Sequence, residues 1–393
     1  MDGFADIPEG TQVRPKPYTF HVPEQSIADF KHLLQLSKIG PKTWENGSSK
    51  FGMTRDWLIH AKDTWLNHFD WRAYEQRINA FPNFKTVVTD PVHGDMGIHF
   101  VALFSKRADA LPIMFLHGWP GSFQEFQTLL ALLTEKYTPD TLPFHAIVPS
   151  LPGYALSDGP PLDNDFLLED VARIMNQLMI DLGFGARGYV AQGGDVGSAV
   201  SRLLAASQEC KAIHLNLMSA PEEEPSGVGK VTAEEAAHIE KAKKWRQSGM
   251  AYAMEHKTRP GTIGLALSSS PLALLAWIGE KYLEWVDPRK PLQLETILGL
   301  VSLYWFTDTF PRSLYPYRAL WGSEYPDLGT TALGYSYFPA EITGLPAAWY
   351  KVLYPDMIRY DHNEGGGHFA ALEEPQLLLG DVEDFMNRCR RIM

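Results

Sequence analysis

Residues 188–198 read Gly-Tyr-Val-Ala-Gln-Gly-Gly-Asp-Val-Gly-Ser. A short apolar strand runs into Gly193-Gly194-Asp195-Val196-Gly197, and a helical pattern (Ala199, Val200, Leu203, Leu204) follows at once. This is the sequence form of a nucleophile elbow, a strand-to-helix turn that exposes one reactive side chain. Glycines at 193 and 197 suit a turn too tight for neighbouring side chains. The reactive position holds Asp195, where most such elbows carry serine. A carboxylate there attacks carbon and leaves an ester behind. Taken alone, the stretch also reads as a glycine-rich turn with an N-cap aspartate. The flanking sequence has to decide.

Working outward, Pro112 to Leu116 and Phe144 to Val148 are short apolar runs, as expected for strands buried in a parallel sheet. Lys85 to Thr89 and Gly97 to Phe104 read as strands of a hairpin turned at His93-Gly94-Asp95. Helices are expected near Phe126 to Leu133 and over Phe166 to Leu182, and Ala212 to Met218 reads as a strand. Strands alternating with helices imply right-handed crossovers and a mostly parallel sheet flanked by helices, an α/β fold with the elbow near its middle. This core spans 85–220 and resumes at 329–393, with strands at Leu333 to Phe338 and Met357 to Asp361 and a last helix over Leu377 to Arg390.

Between the two parts, 221–328 carries helical patterns and no strand signal, and reads as an inserted cap. Its helices are expected over Thr232 to Ser248, Pro271 to Trp285 and Leu292 to Thr307. Gly261 to Gly279 is uncharged, but Ser268-Ser269-Ser270-Pro271 breaks it well short of the ~20 apolar residues of a membrane span. It reads as a buried helix. Residues 1–84 hold helical stretches at Glu24 to Leu36 and Thr54 to Phe69, the latter with Thr54 as cap and a stripe of Trp57, Leu58, Ala61, Trp65, Leu66 and Phe69. This segment is expected to wrap the core without folding alone.

The composition is that of a globular protein: 393 residues, 45% hydrophobic and 21% charged. A formal net charge of -12 disfavours a nucleic acid or anionic membrane partner. Cys210 and Cys389 make no disulfide framework and no metal spacing, which fits a reducing, cytoplasmic setting. Met1 to Phe20 contains Asp2, Asp6 and Glu9 with no apolar run, so neither signal peptide nor membrane anchor is expected.

An aspartate nucleophile needs an oxyanion hole, an activated water and help for the leaving oxygen. The strand Pro112 to Leu116 ends in His117-Gly118-Trp119-Pro120-Gly121-Ser122. In an elbow architecture the loop after that strand supplies one backbone N–H and the residue after the nucleophile the other, here Trp119 and Val196. A water-activating histidine should come late, after its acid partner. Gly365-Gly366-Gly367 precedes His368, while the rival His362 lacks such a loop. Glu341 follows the strand Leu333 to Phe338 and fits the acid; Asp361 and Glu364 lie too near His368, and Asp308 sits in the insertion. A phenol remains protonated at neutral pH and can donate to a developing alkoxide. Tyr252 and Tyr304 stand out in the insertion, among 16 tyrosines whose common role is half-buried packing.

Together these segments resemble the epoxide hydrolases of the microsomal and juvenile-hormone type, and most of all their soluble fungal members. The resemblance covers nearly the whole chain: Trp57 to Trp71, His117 to Ser122, Gly193 to Ser198, Gly366 to Glu373, and the cap stretches Ala251-Tyr252-Ala253-Met254 and Ser302-Leu303-Tyr304-Trp305. It implies the α/β-hydrolase fold, Asp195 as nucleophile, His368 as base, Glu341 as its partner, and Tyr252 and Tyr304 on the epoxide oxygen. It also implies no metal or organic cofactor, and raises the prospect of a homodimer. The chain departs from the family in having Gly365-Gly366-Gly367, one glycine more than the usual pair, before His368.

The expected reaction opens an epoxide on Asp195 to a hydroxyalkyl ester, which water activated by His368 and Glu341 hydrolyses to a vicinal diol. An aromatic-rich cap (Trp277, Trp285, Trp305, Phe306) points to an apolar substrate. Two alternatives stand beside this. Haloalkane dehalogenases also use an aspartate but usually carry tryptophan after it, where this chain has Val196. A catalytically silent binding protein of the same fold has no physical need to keep Asp195, Glu341 and His368.

Overall fold

The computed structural model describes residues 3–221, 223–319, 325, 328 and 331–391. Among these, nine strands form one sheet: β1 (Lys16–Pro17), β2 (Asn83–Asp90), β3 (Gly94–Leu103), β4 (Leu111–Leu116), β5 (Phe144–Pro149), β6 (Tyr189–Gly193), β7 (Cys210–Leu215), β8 (Ala332–Tyr337) and β9 (Arg359–His362). Their order is β1-β2-β3-β5-β4-β6-β7-β8-β9. The pairs from β1 to β5 through β3 are antiparallel, and every pair from β5 to β9 is parallel. Strands β4, β5, β6 and β8 are buried at every residue because helices cover both faces of the sheet. The sequence jumps over β4 between β5 and β6, and the crevice at the carboxyl ends of such strands is where α/β sheets place ligands.

The hairpin turn falls earlier than the sequence reading placed it. Asp90 pairs with Gly94, so residues 91–93 make the turn and Gly94 opens β3 with φ +74°. The Asp90 carboxylate accepts from the N–H groups of Val92 and His93, which fixes that register.

In the N-terminal segment, helices cover Glu24–Leu36, Arg55–Asn67 and Trp71–Ile78. Thr54 occupies the N-cap of the second, but its side chain makes no capping bond. Trp65, a buried residue of the apolar stripe, donates from Nε1 to Ser302 Oγ at 3.0 Å. The wrap thus lies against the insertion, and through β1 it also extends the sheet.

Between β7 and β8 the chain is helical, including Ala233–Ser248, Ala251–Thr258, Pro260–Leu267, Pro271–Glu284 and Leu294–Phe306. The uncharged run is two helices and not one, bent by 118°. Ser270 Oγ caps the second by accepting from Ala273 N, and Pro271 starts it because its missing N–H is an orphan there anyway. Among the described residues no single helix is long and apolar enough to cross a membrane. The expected end of the insertion at 328 adjoins residues 326, 327, 329 and 330, which lie outside the described residues.

Candidate active site

Strand β6 ends at Gly193 and the helix Asp195–Leu204 begins two residues later. Asp195 has φ +48°, a left-handed conformation that costs a non-glycine residue about 1–3 kcal/mol and persists only where its surroundings enforce it. They do so by close backbone approach. A Cβ on Gly193 would collide with Gly197 O, and one on Gly197 with Leu116 O at the end of β4. The carboxylate therefore stands up from the sheet edge with its side chain 23% exposed, the most open member of the cluster around it.

The loop after β4 closes over this carboxylate. Trp119 N donates to Asp195 Oδ1 at 2.7 Å, and a Cβ on Gly118 would occupy the place of that oxygen. Val196 follows in the first helical turn, where backbone N–H groups have no partner inside the helix. His117 anchors the loop from behind. Its Nε2 accepts from Leu151 N at 3.1 Å, so its Nδ1 carries the proton and donates to Gly118 O. Burial pushes its pKa down to about 4 and keeps it neutral. From the insertion, Tyr282 donates to Pro120 O at 3.0 Å and Tyr304 to Gly121 O at 2.8 Å.

His368 Nδ1 lies 2.7 Å from Glu341 Oε1, and its Nε2 lies 3.2 Å from Asp195 Oδ2. The second contact is off the line of a hydrogen bond, which leaves Nε2 free to meet another partner. Burial alone would lower the imidazole pKa, but the carboxylates of Glu341 and Asp195 outweigh it and hold the ring well above its usual value. Glu341 follows β8, and Ile342 N donates to its Oε1 at 2.6 Å. The extra glycine before His368 is absorbed without breaking this path. Gly366 takes φ +95° and its carbonyl accepts from Ala340 N, so the loop is tied directly to the residue before Glu341. His368 N donates in turn to Trp285 O at 2.9 Å.

A cavity of about 300 Å³ opens on the other side of Asp195, lined by Val196, Met218, Trp245, Tyr252, Tyr317 and Ile342 among others. Tyr252 stacks on Trp119 with centroids 5.4 Å apart, and Lys281 Nζ sits 4.4 Å from the centroid of the Tyr252 ring. Tyr252 and Tyr317 are hydrogen-bonded to each other, and burial with the nearby Asp195 charge holds both phenols well above their usual range. Both are protonated donors at neutral pH.

The structure thus brings Asp195, His368, Glu341, Trp119, Val196 and Tyr252 together. It does not bring Tyr304, whose hydroxyl is spent on Gly121 O and which does not line the substrate-sized cavity. Tyr317 stands there instead, on the short turn Tyr315–Arg318. The sequence reading missed it because that turn has no helical periodicity; the Tyr-Pro-Tyr repeat at 315–317 was the available signal. The cap aromatics also sort differently. Trp277 donates to His256, Trp285 packs on His368, and Trp305 and Phe306 pack on Phe30, so none of the four lines the cavity beside Tyr252. The rejected candidates lie elsewhere in their own pairings, Asp361 with Arg359 and His362 with Glu234. Both cysteines are buried thiols, and no cluster of metal-ligating side chains occurs among the described residues.

Comparison with known proteins fits this geometry. Residues 15–126 match the family described as Epoxide hydrolase N terminus, and residues 112–260 match the alpha/beta hydrolase fold. A putative epoxide hydrolase of Dothistroma septosporum is 46% identical, over 98% of this chain and 93% of the relative. The solved structure of the Aspergillus niger epoxide hydrolase is 47% identical with a TM-score of 0.91, covering 98% of this chain and 99% of that one. The juvenile hormone epoxide hydrolase of the silkworm Bombyx mori, 24% identical, shares the fold at a TM-score of 0.84 over 98% of this chain and 97% of its own. Matched over nearly its whole length at close to half identity, the chain belongs to the epoxide hydrolase family of α/β-hydrolase enzymes.

Proposed function

We propose that the protein hydrolyses an apolar epoxide to a vicinal diol through a covalent ester on Asp195. The observation that carries this reading is the placement of Asp195 between two different environments, a phenol-lined cavity and a buried histidine. Oδ1 is held by Trp119 N–H, which leaves Oδ2 to attack a ring carbon. As the carbon–oxygen bond of the ring breaks, its electron pair goes to the oxygen, and the paired phenols of Tyr252 and Tyr317 supply the proton. No metal or organic cofactor enters the scheme.

Ester formation removes the negative charge of Asp195, one of the two charges that hold the proton on His368. The imidazole pKa then falls, and the ring becomes a base in the step that needs one. Its released proton balances the one given by the tyrosines. Neutral His368, oriented by Glu341, takes a proton from water as the water oxygen bonds to the Asp195 ester carbon. The oxyanion forms on Oδ1 facing Trp119 N–H, a donor of a kind worth about 3–4 kcal/mol in comparable sites. Collapse expels the alkoxide, which takes the proton back from His368 and leaves as diol, and the regenerated Asp195 carboxyl passes its remaining proton to the imidazole, restoring the starting ion pair.

Isotope labelling tests the scheme. In a single turnover in heavy-oxygen water the diol is expected unlabelled, its new oxygen coming from Asp195, with label left in the protein. A diol labelled in that first turnover rules the ester out. In His368→Gln the ester should persist as a mass adduct on Asp195.

A further inference from the structure

Glu125 is a buried carboxyl that the steps above do not use. It lies on the turn Phe123–Phe126, directly after the oxyanion loop, and is 9% exposed. It lines a second, small cavity of about 20 Å³ together with Gly118, Gly194, Asp195, Asn216 and His368. Among the described residues, Asp195 alone lines both this cavity and the larger one holding Tyr252 and Tyr317. The nucleophile is therefore a partition. On one side of it is room for a substrate, and on the other, where His368 lies, is room for a single water, which needs about 10–15 Å³ and two to four polar partners.

Those partners are present. His368 Nε2 is buried and has no aligned hydrogen bond. The Glu125 carboxyl packs against the oxyanion loop so closely that a Cβ on Gly121 would overlap its Oε1. Tyr282 and Tyr304 tie down that part of the loop by donating to the carbonyls of Pro120 and Gly121. We propose that the small cavity seats the hydrolytic water, and that Glu125 hydrogen-bonds it there, behind Asp195, so that its oxygen faces the ester carbon and its proton faces His368 Nε2. Burial raises the Glu125 carboxyl to about 8, with the imidazole opposing and the Asp195 charge assisting. A neutral acid can both donate to the water and accept from it. Bond making and breaking are those of the hydrolysis step: O–H breaks to His368, O–C forms at the ester, and Glu125 neither gains nor loses a proton. The inference rests on the ester reading.

The test separates the two half-reactions in the full-length protein, with styrene oxide as probe and the Asp195 adduct followed by rapid-quench mass spectrometry. In Glu125→Leu the ester should form at a rate within about threefold of the native enzyme, yet decay at least about tenfold more slowly, the loss of one hydrogen bond to the attacking water. Glu125→Gln, which keeps the hydrogen-bonding capacity, should decay within a few-fold of native. Native decay in Glu125→Leu overturns the proposal, and so does a glutamine variant as slow as the leucine one. Should the leucine variant fail to fold, a crystal structure of the native enzyme decides: an ordered water bonded to both Glu125 and His368 supports the proposal, and a dry cavity overturns it. If the native enzyme makes diol with no adduct at all, the ester reading itself has failed.

Discussion

Tyr304 and Tyr317 show how much a single hydroxyl decides. Both are buried phenols near Asp195, and both have pKa values held up by burial first and by neighbouring charge second. Tyr304 donates to a backbone carbonyl, while Tyr317 shares the substrate-sized cavity with Tyr252. Their phenylalanine variants should part company. Tyr317→Phe is expected to slow ring opening by roughly 100-fold, the usual range for one oxyanion-type donor. Tyr304→Phe should leave ring opening within a few-fold of native but lower stability by about 1–3 kcal/mol, since Gly121 O loses its buried partner. Single-turnover rates and denaturant melts of the two variants check this; a Tyr304→Phe enzyme as slow as Tyr317→Phe contradicts the assignment. The sequence made Asp195, His368 and Glu341 legible because each stands at a fixed place after a strand. It could not separate the tyrosines, because what distinguishes them is the direction of a hydroxyl set by tertiary packing.

At the scale of elements, the elbow and the loop after β4 are fitted together through hydrogen atoms of glycine. Gly118→Ala would place its methyl group on Asp195 Oδ1, and Gly197→Ala would press against the Leu116 carbonyl beneath. The first displaces a side chain and the second meets backbone. Gly118→Ala is therefore expected to fold with nearly native melting but to lose on the order of 100-fold in ring opening, the scale of an ångström-sized misplacement. Gly197→Ala should be destabilised severely. Thermal melts alongside adduct formation distinguish the two; a Gly118→Ala enzyme of native rate means the loop moves more freely than its contacts imply. The strands of the parallel half were legible as apolar runs because they are buried on both faces. Their ends shifted by a residue or two, as with β9 at Arg359–His362 against the expected Met357 to Asp361, because pairing with β8 and not local composition sets where a strand stops.

For the molecule as a whole, burial of ionisable groups sets the acid limit. Among the described residues, His99, His214 and His256 are lowered to about 3, and His117 and His145 to about 4, in each case by burial first. Each is neutral when folded and takes up a proton on unfolding below pH 6.5, so its stabilisation is lost as pH falls towards the folded pKa. Glu125 and Glu373, raised to about 8 and about 7, do the reverse down to pH 4.5. The five histidines outnumber the two glutamates, so stability is expected to fall as pH drops from 6.5 towards 4.5. Denaturant titrations across that range check it, and stability that is flat or rising toward pH 4.5 contradicts it.

The tethers of the inserted helices carry a consequence for the site. Tyr282 and Tyr304 bind the oxyanion loop from above, Trp285 O accepts from His368 N, and Ser302 accepts from the N-terminal wrap. Lifting the insertion like a hinged roof would break its bonds to the loop after β4 and to the backbone of His368 at once. Loosening the roof is therefore expected to disturb the surroundings of Asp195 and His368 together and not one alone.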